Sequence, residues 1–353
     1  MHNNNSKTRY SVVSFAGILL SLFILNGCGK QETLPELRQN TSHQANVNNH
    51  SNGFTRVMTV GHVQTDELGN SRIAFIENPQ VFTTSNALLA EELTNLKRLH
   101  VKAKVTFDPY TSSIIEVTTP SVTELMAPAP RTASKENGIS MNVDLTNLDE
   151  DALDNAERLG VMTHASGSLM NVVPDMATAQ LMFNYITQQC CALPSPYDID
   201  HCISFQYAYD GCYARAHKMC YIINKKYGYN THKIFSFANS GWDVLSVQAQ
   251  KWGGCCINWW YHVAPLVNIK TPAGVKAYVF DPAMFDQPVL LSVWLHFQEH
   301  PACASTPNVS MINIQPTAMY APSDYSGYSF MTDPGYIDTD ATLIYYGSTP
   351  TCP

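Results

Sequence analysis

A chain of 353 residues, 14% charged and 45% hydrophobic, with a formal net charge of -8, is long enough for one large domain or two modest ones, each with its own core. The acidic balance and the absence of any long Lys/Arg cluster exclude nucleic acid as the expected partner. So few charged groups beside so many Tyr, Pro, Asn and Ser fit an exported protein better than a cytoplasmic one.

The N-terminus supports export. Lys7 and Arg9 form a short basic region, Val12 to Leu25 is an apolar run too short to span a membrane comfortably, and Leu25-Asn26-Gly27-Cys28 follows. Residues 1–28 therefore read as a signal peptide whose last four residues resemble a bacterial lipobox. Lipidation of Cys28 would anchor the exported chain to the envelope membrane; secretion after processing is the alternative. Residues 29–53, rich in Gln, Asn, Ser and His, read as a flexible tether.

Composition becomes globular at residue 54. Ser71 to Ile76 is strand-like, Ala87 to Leu99 has the spacing of an amphipathic helix, and Val101 to Phe107 with Ile114 to Thr118 forms a hairpin around Asp108-Pro109. Residues 54–119 thus make a small α+β unit without cysteine. Residues 120–168 read as a Pro- and Ala-rich linker, an acidic helix over Asn147 to Leu159, and small or polar residues from Thr163 to Ser168 suited to protease cutting.

Residues 169–353 have a different character. Of the 10 cysteines, all but Cys28 lie here, and an odd remainder in an oxidising compartment leaves at least one thiol unpaired. If that thiol is Cys212, the others suffice for four bridges. The vicinal pairs Cys190-Cys191 and Cys255-Cys256 suit bridges to different partners, and no metal-ligand spacing is present, so neither metal nor cofactor is expected. Asp175 to Gln189 reads as a helix, Lys233 to Phe237 as a strand, Pro288 to His300 as a helix, and Thr342 to Tyr346 as a short strand.

Between these elements lies Asp210-Gly211-Cys212-Tyr213-Ala214-Arg215-Ala216-His217-Lys218-Met219. Apolar side chains at Ala216, Met219, Cys220, Ile223 and Tyr227 form one helical stripe, with Arg215, Lys218 and His217 placed away from it, His217 on the solvent side. Asp210 and Gly211 can cap and turn the start of this helix, and Gly228 can end it. A thiol at a helix start feels the positive end of the dipole, and the first-turn amides, that of Cys212 included, can face an oxyanion. Half of a disulfide is the plain alternative for Cys212. Trp259 to Ile269 and Val275 to Phe280 form a hairpin whose fold-back at Thr271-Pro272 sets His262 opposite Asp281. A carboxylate beside an imidazole fixes its tautomer, and an imidazole beside a thiol draws off its proton. A core histidine and a turn aspartate are the plain alternatives.

Residues 210–219, the segment Gly254-Cys255-Cys256-Ile257-Asn258-Trp259-Trp260-Tyr261-His262-Val263-Ala264, and Phe280-Asp281-Pro282-Ala283-Met284-Phe285 together resemble the motifs of the bacterial protein-glutaminase (protein-glutamine deamidase) family. Val172 to Thr178 resembles the start of that family's mature enzyme. The resemblance implies a papain-like or transglutaminase-like α+β core, helix plus antiparallel sheet, with Cys212 as nucleophile, His262 as base then acid, and Asp281 orienting it. It implies protein or peptide substrates carrying glutamine, deamidated to glutamate through a thioester with loss of ammonia, by a monomer that uses no cofactor. It also implies that the N-terminal unit is a pro-region able to block the site. A transglutaminase or a cysteine peptidase would use the same triad, and a lipid-anchored binding protein would use none of it.

Overall fold

The computed structural model describes residues 53–125, 141–144, 171–193, 199, 201–238, 243–350 and 352. The signal peptide with Cys28, nearly all of the tether, the acidic helix over 147–159 and the cutting site at 163–168 lie outside the described residues.

The chain has a mixed α+β architecture with two hydrophobic cores. The smaller core belongs to the N-terminal unit, built from β1 (Phe54–Met58), β2 (Val60–Thr65), β3 (Ser71–Phe75), β4 (Asn78–Thr84), α1 (Ala87–Arg98), β5 (Ala103–Phe107) and β6 (Ile114–Thr118). Asn86 caps α1 by accepting from the Leu88 amide, Lys97 and Arg98 sit at its negative end, and Ala90, Leu93 and Leu96 form its buried face. Strand β5 alternates buried Ala103, Val105 and Phe107 with half-buried Lys104 and Thr106, the period-2 pattern expected of a sheet with one covered face. Phe82 joins this core to both ends, with ring centroids 5.3 Å from Phe75 and 4.7 Å from Phe107. A single helical turn, α2 (Val122–Leu125), closes the unit.

The remaining elements are β7 (Met141–Asp144), α3 (Met176–Thr187), α4 (Cys212–Tyr227), β8 (His232–Phe237), β9 (Leu245–Gln248), β10 (Cys256–Trp259), β11 (Tyr261–Thr271), β12 (Gly274–Val279), β13 (Val289–Leu290), α5 (Leu291–Phe297), β14 (Met311–Pro316), β15 (Met319–Pro322), β16 (Phe330–Thr332) and α6 (Ile337–Tyr346). A six-stranded antiparallel sheet runs β13-β12-β11-β8-β14-β7. Tyr261 to Ile269 is buried without a break, because β11 is interior to the sheet and α4 packs on it. A second sheet, β2-β3-β4-β10-β9, crosses between the units: Trp259 of β10 pairs with Gln80 of β4.

Three sequence expectations change. Residues 342–346 are the end of helix α6 rather than a strand. Their Thr, Ile and Tyr content favours strands, but Thr339, Thr342, Leu343 and Tyr346 fall on one helical face and are buried there. Only Leu291–Phe297 of the 288–300 segment is helical, since Val289 and Leu290 pair with β12. The β11–β12 turn is centred on Pro272-Ala273, one residue beyond a fold-back at Thr271-Pro272: Thr271 pairs with Gly274 and Leu266 with Val279, so the register slips by two residues. A slip of two keeps both side chains on the same face, which is why His262 and Asp281 still meet, as diagonal rather than direct neighbours.

Phe82→Ala should destabilise the N-terminal unit by about 3–5 kcal/mol. A lowered urea midpoint checks this, and an unchanged midpoint would remove the aromatic cluster as the unit's core.

Candidate active site

Cys212 is the first residue of α4, and Gly211 precedes it in the left-handed region at φ 77°. A side chain at Gly211 would be strained there and would also press on Thr342 and Tyr346 at 3.3–3.4 Å. Asp210 does not cap the helix amides. Its Oδ1 accepts from the Gly211 N–H at 2.5 Å, and its Oδ2 accepts from Tyr346 and Arg56. The turn that presents the thiol is therefore held by a buried carboxylate.

His262 lies on β11, its main chain paired with Ser236 of β8. Its Nε2 is 2.8 Å from Asp281 Oδ2, which also accepts from the Trp294 indole N–H at 3.0 Å. The imidazole stacks on Trp259 at 4.4 Å and 6°, with Trp294 at 5.4 Å and 26°. Because a carboxylate only accepts, Nε2 carries the proton and Nδ1 is left with its lone pair. That Nδ1 is buried and has no hydrogen-bond partner among the described residues. Burial pushes the Asp281 carboxyl up, but His262, Trp294 and Arg215 outweigh it and lower its pKa on balance.

Helix α4 packs on the strand that carries His262, and the main-chain N–H of Val263, the residue after it, is one of the groups that favour the Cys212 thiolate. Cys212 is 1% exposed, and burial pushes it up to about 12, against the favourable charge of Arg215 and the Val263 N–H. The thiol is therefore protonated in this chain. The N-terminal unit bonds to side chains that flank both Cys212 and His262. The Trp260 indole N–H donates to the Phe75 and Asn78 carbonyls at 3.0 and 2.8 Å, the Trp260 amide donates to Pro79, and the Tyr213 hydroxyl donates to Glu77. Trp260 and Tyr213 each stand next to, or two residues from, a member of the Cys212 and His262 pair.

The helix behind the thiol departs from the expectation. Cys212 to Cys220 is buried all round, so Arg215, His217 and Lys218 lie inside rather than in solvent. Each of these side chains meets a polar neighbour. Arg215 Nη1 donates to the Tyr207 and Asp210 carbonyls, Lys218 pairs with Asp340 of α6 at 2.9 Å, and His217 Nδ1 is 2.6 Å from Lys233 Nζ. Burial drives Lys233 down to about 7 and, with the Lys233 charge, His217 down to about 2. Sequence pattern alone missed these residues, because a stripe of apolar residues marks one face as buried and does not mark the others as exposed.

Disulfides join Cys191 to Cys202, Cys255 to Cys352 and Cys256 to Cys303, so the second vicinal pair does bridge to two partners. Cys212 and Cys220 are both free thiols, so the remaining cysteines after Met170 do not all pair into the four bridges that an unpaired Cys212 would have allowed. No cluster of three or more His, Cys, Asp or Glu suited to a metal occurs among the described residues, and no helix among them is long and apolar enough to cross a membrane.

A family model described as glutaminase matches residues 179–298. Among solved structures, a crystal structure of pro-protein-glutaminase is similar at 24% identity with TM-score 0.57, covering 85% of this chain and 94% of its own. A crystal structure of protein-glutaminase is similar at 32% identity, covering 52% of this chain and 93% of its own, with TM-score 0.45. The solution structure of protein-glutaminase from Chryseobacterium proteolyticum is similar at 33% identity with the same coverage and TM-score 0.44. The chain belongs to the protein-glutaminase family. No curated protein sequence matches. As a member of the protein-glutaminase family the chain is an enzyme of the cysteine amidohydrolase kind, and its fold extends through the N-terminal unit as in the pro-form.

Iodoacetamide should spare Cys212 and Cys220 in the folded full chain and label both after unfolding without reduction, as read by peptide mass spectrometry; labelling of only one would restore a further bridge. Lys233 predicts a pH dependence. With a folded pKa of about 7 against an ordinary 10.5, the folded state binds fewer protons between those values, so stability rises with pH across the window. Cys212 acts oppositely, but only above its ordinary 9.0, where the unfolded thiol loses a proton the folded one keeps. The thermal midpoint should therefore rise from about pH 7 to about pH 9, and the rise should shrink in Lys233→Met.

Proposed function

We propose that Cys212, His262 and Asp281 are the catalytic set of a hydrolase that converts protein-bound glutamine to glutamate. The observation that carries this reading is an imidazole whose Nε2 is held by Asp281 at 2.8 Å while its Nδ1, buried and unpartnered among the described residues, is free to take a thiol proton. Support also comes from the packing of helix α4, which begins at Cys212, on the strand that carries His262.

In this mechanism Nδ1 takes the Cys212 proton, and the thiolate attacks the glutamine side-chain carbonyl carbon. The oxyanion faces first-turn amides of α4, that of Cys212 included. The imidazolium, stabilised by Asp281, returns its proton to the departing nitrogen, and ammonia leaves with a thioester behind. Water then loses a proton to Nδ1 and attacks the thioester, and the imidazolium reprotonates the sulfur as glutamate is released. Trp259 and Trp294 keep the ring in one plane throughout, so no reorientation is spent at each transfer.

We also infer that residues 54–119 are an inhibitory pro-domain, 120–168 the processed linker and 169–353 the catalytic domain. Support comes from the burial of Cys212 and from the Phe75 to Gln80 hairpin hydrogen-bonded across Trp259 and Trp260. The chain would be exported, held at the envelope by a lipid on Cys28 or released by processing, and monomeric.

After limited proteolysis of the full chain, ammonia release from an unfolded glutamine-rich protein should appear, with glutamate in place of glutamine and the backbone intact by mass spectrometry. Cys212→Ala and His262→Ala should lower the rate by roughly 10⁵–10⁶ and Asp281→Asn by roughly 10³–10⁴. Equal activity before and after proteolysis would remove the pro-domain reading, and full activity of Cys212→Ala would remove the mechanism.

A further inference from the structure

Asp210 is fully buried, and its hydrogen bonds come from three places. Gly211 N–H holds Oδ1 at 2.5 Å, the Tyr346 hydroxyl holds Oδ2 at 2.5 Å, and Arg56 Nη1 of strand β1 holds the same Oδ2 at 2.5 Å. Two of these donors are neutral and belong to the catalytic half. The third is a cation, and it comes from the N-terminal unit. Arg56 also donates to the Tyr346 hydroxyl at 2.8 Å, and its guanidinium lies 5.7 Å from the Tyr345 ring and 5.9 Å from the Tyr346 ring. Burial opposes the Arg56 charge, yet Tyr346, Tyr213 and Asp210 together raise its pKa. A cavity of about 350 Å³ opens beside it, lined from both units by Arg56, Glu77, Tyr213, Thr342 and Tyr345.

These features make a receptor for a guanidinium: one buried carboxylate for the charge and two tyrosine rings for the flat face. Removal of the N-terminal unit would leave that receptor complete except for its cation. The nearest other guanidinium, Arg215, is tied to the main-chain carbonyls of Tyr207 and Asp210 at 2.7 Å rather than to the Asp210 carboxylate. A buried carboxylate losing its ion-pair partner gains by taking up another cation.

The position of the receptor matters as much as its chemistry. Asp210 is two residues from Cys212, so at most about 7 Å of chain separates their Cα atoms. A glutamine with its amide at the thiol would place neighbouring substrate residues within reach of Asp210, because an arginine side chain spans a comparable length.

We propose that Asp210, Tyr345 and Tyr346 form a substrate subsite selective for arginine near the target glutamine, and that Arg56 occupies it in the intact chain. This rests on the deamidase reading and on departure of the N-terminal unit. It makes Asp210 a specificity-determining residue. Arg56 would then be a side chain of the unprocessed protein that imitates the substrate's.

The test uses the full chain after limited proteolysis and a set of glutamine peptides. Each peptide carries one arginine, or its uncharged isostere citrulline, at each position from four residues before to four residues after the glutamine. At one position or two adjacent ones, arginine should raise kcat/KM about tenfold over citrulline, mainly through KM, and the ratio should shrink at high salt. Asp210→Asn keeps an oxygen for the Gly211 N–H, turns an amide NH2 toward the Tyr346 hydroxyl, which can accept, and should bring the ratio near one. A ratio within about twofold at every position in the unsubstituted protein would overturn the subsite, as would a ratio unchanged by Asp210→Asn. The first of these needs no variant, so a folding defect cannot decide it. If neither arginine nor citrulline peptides nor the unfolded protein release ammonia, the deamidase reading fails instead.

Discussion

The contact on which the site depends is the buried pair of His262 and Asp281. Taking a carboxylate out of water is expensive, and the chain offsets that cost with two donors on one oxygen, the imidazole and the Trp294 indole. That arrangement dictates the tautomer of His262 and leaves Nδ1 as the nitrogen facing away from Asp281. Trp259, stacked almost parallel to the ring, removes the remaining freedom. The surrounding elements serve this pair: β8 and β12 hold β11 from either side, and α5 delivers Trp294.

A second constraint is charge held inside. The first nine residues of α4 are buried although three of them are basic or imidazole side chains. Each is accommodated by a different element. Main-chain carbonyls take Arg215, α6 supplies Asp340 for Lys218, and β8 supplies Lys233 for His217. Asp210 follows the same rule on the opposite side, except that its cation belongs to the N-terminal unit. An ion pair divided between the N-terminal unit and the rest of the chain links the two electrostatically.

The covering is also built from backbone. Strand β4 reaches β10 through a single pair, and the hairpin carbonyls of Phe75 and Asn78 share one indole N–H. Hydrogen bonds of this kind are replaced by water when the units part, so each contributes only about 0.5–1.5 kcal/mol net. Among the described residues the interface therefore combines modest hydrogen bonds with the Arg56–Asp210 ion pair.

Local pattern in the sequence determined helix α4, with glycine at both ends and Cys212 at its start, because helical period and positive-φ glycines are properties of a few consecutive residues. It also determined the hairpin that carries His262 and leads to Asp281, although the turn is centred one residue further on and the register slips by two. An even slip leaves every side chain on its own face, so the pair survived the error. Tertiary structure decided what no short stretch encodes. Residues 342–346 became helical because one face of them had a core to enter. Cys220 remained a thiol beside Cys212 because bridging depends on where sulfurs meet in space. His217 went inside because β8 brought a lysine to it. Arg56 found Asp210 across more than a hundred residues, since burial and charge pairing are set by the whole fold and periodicity records only the local share of it.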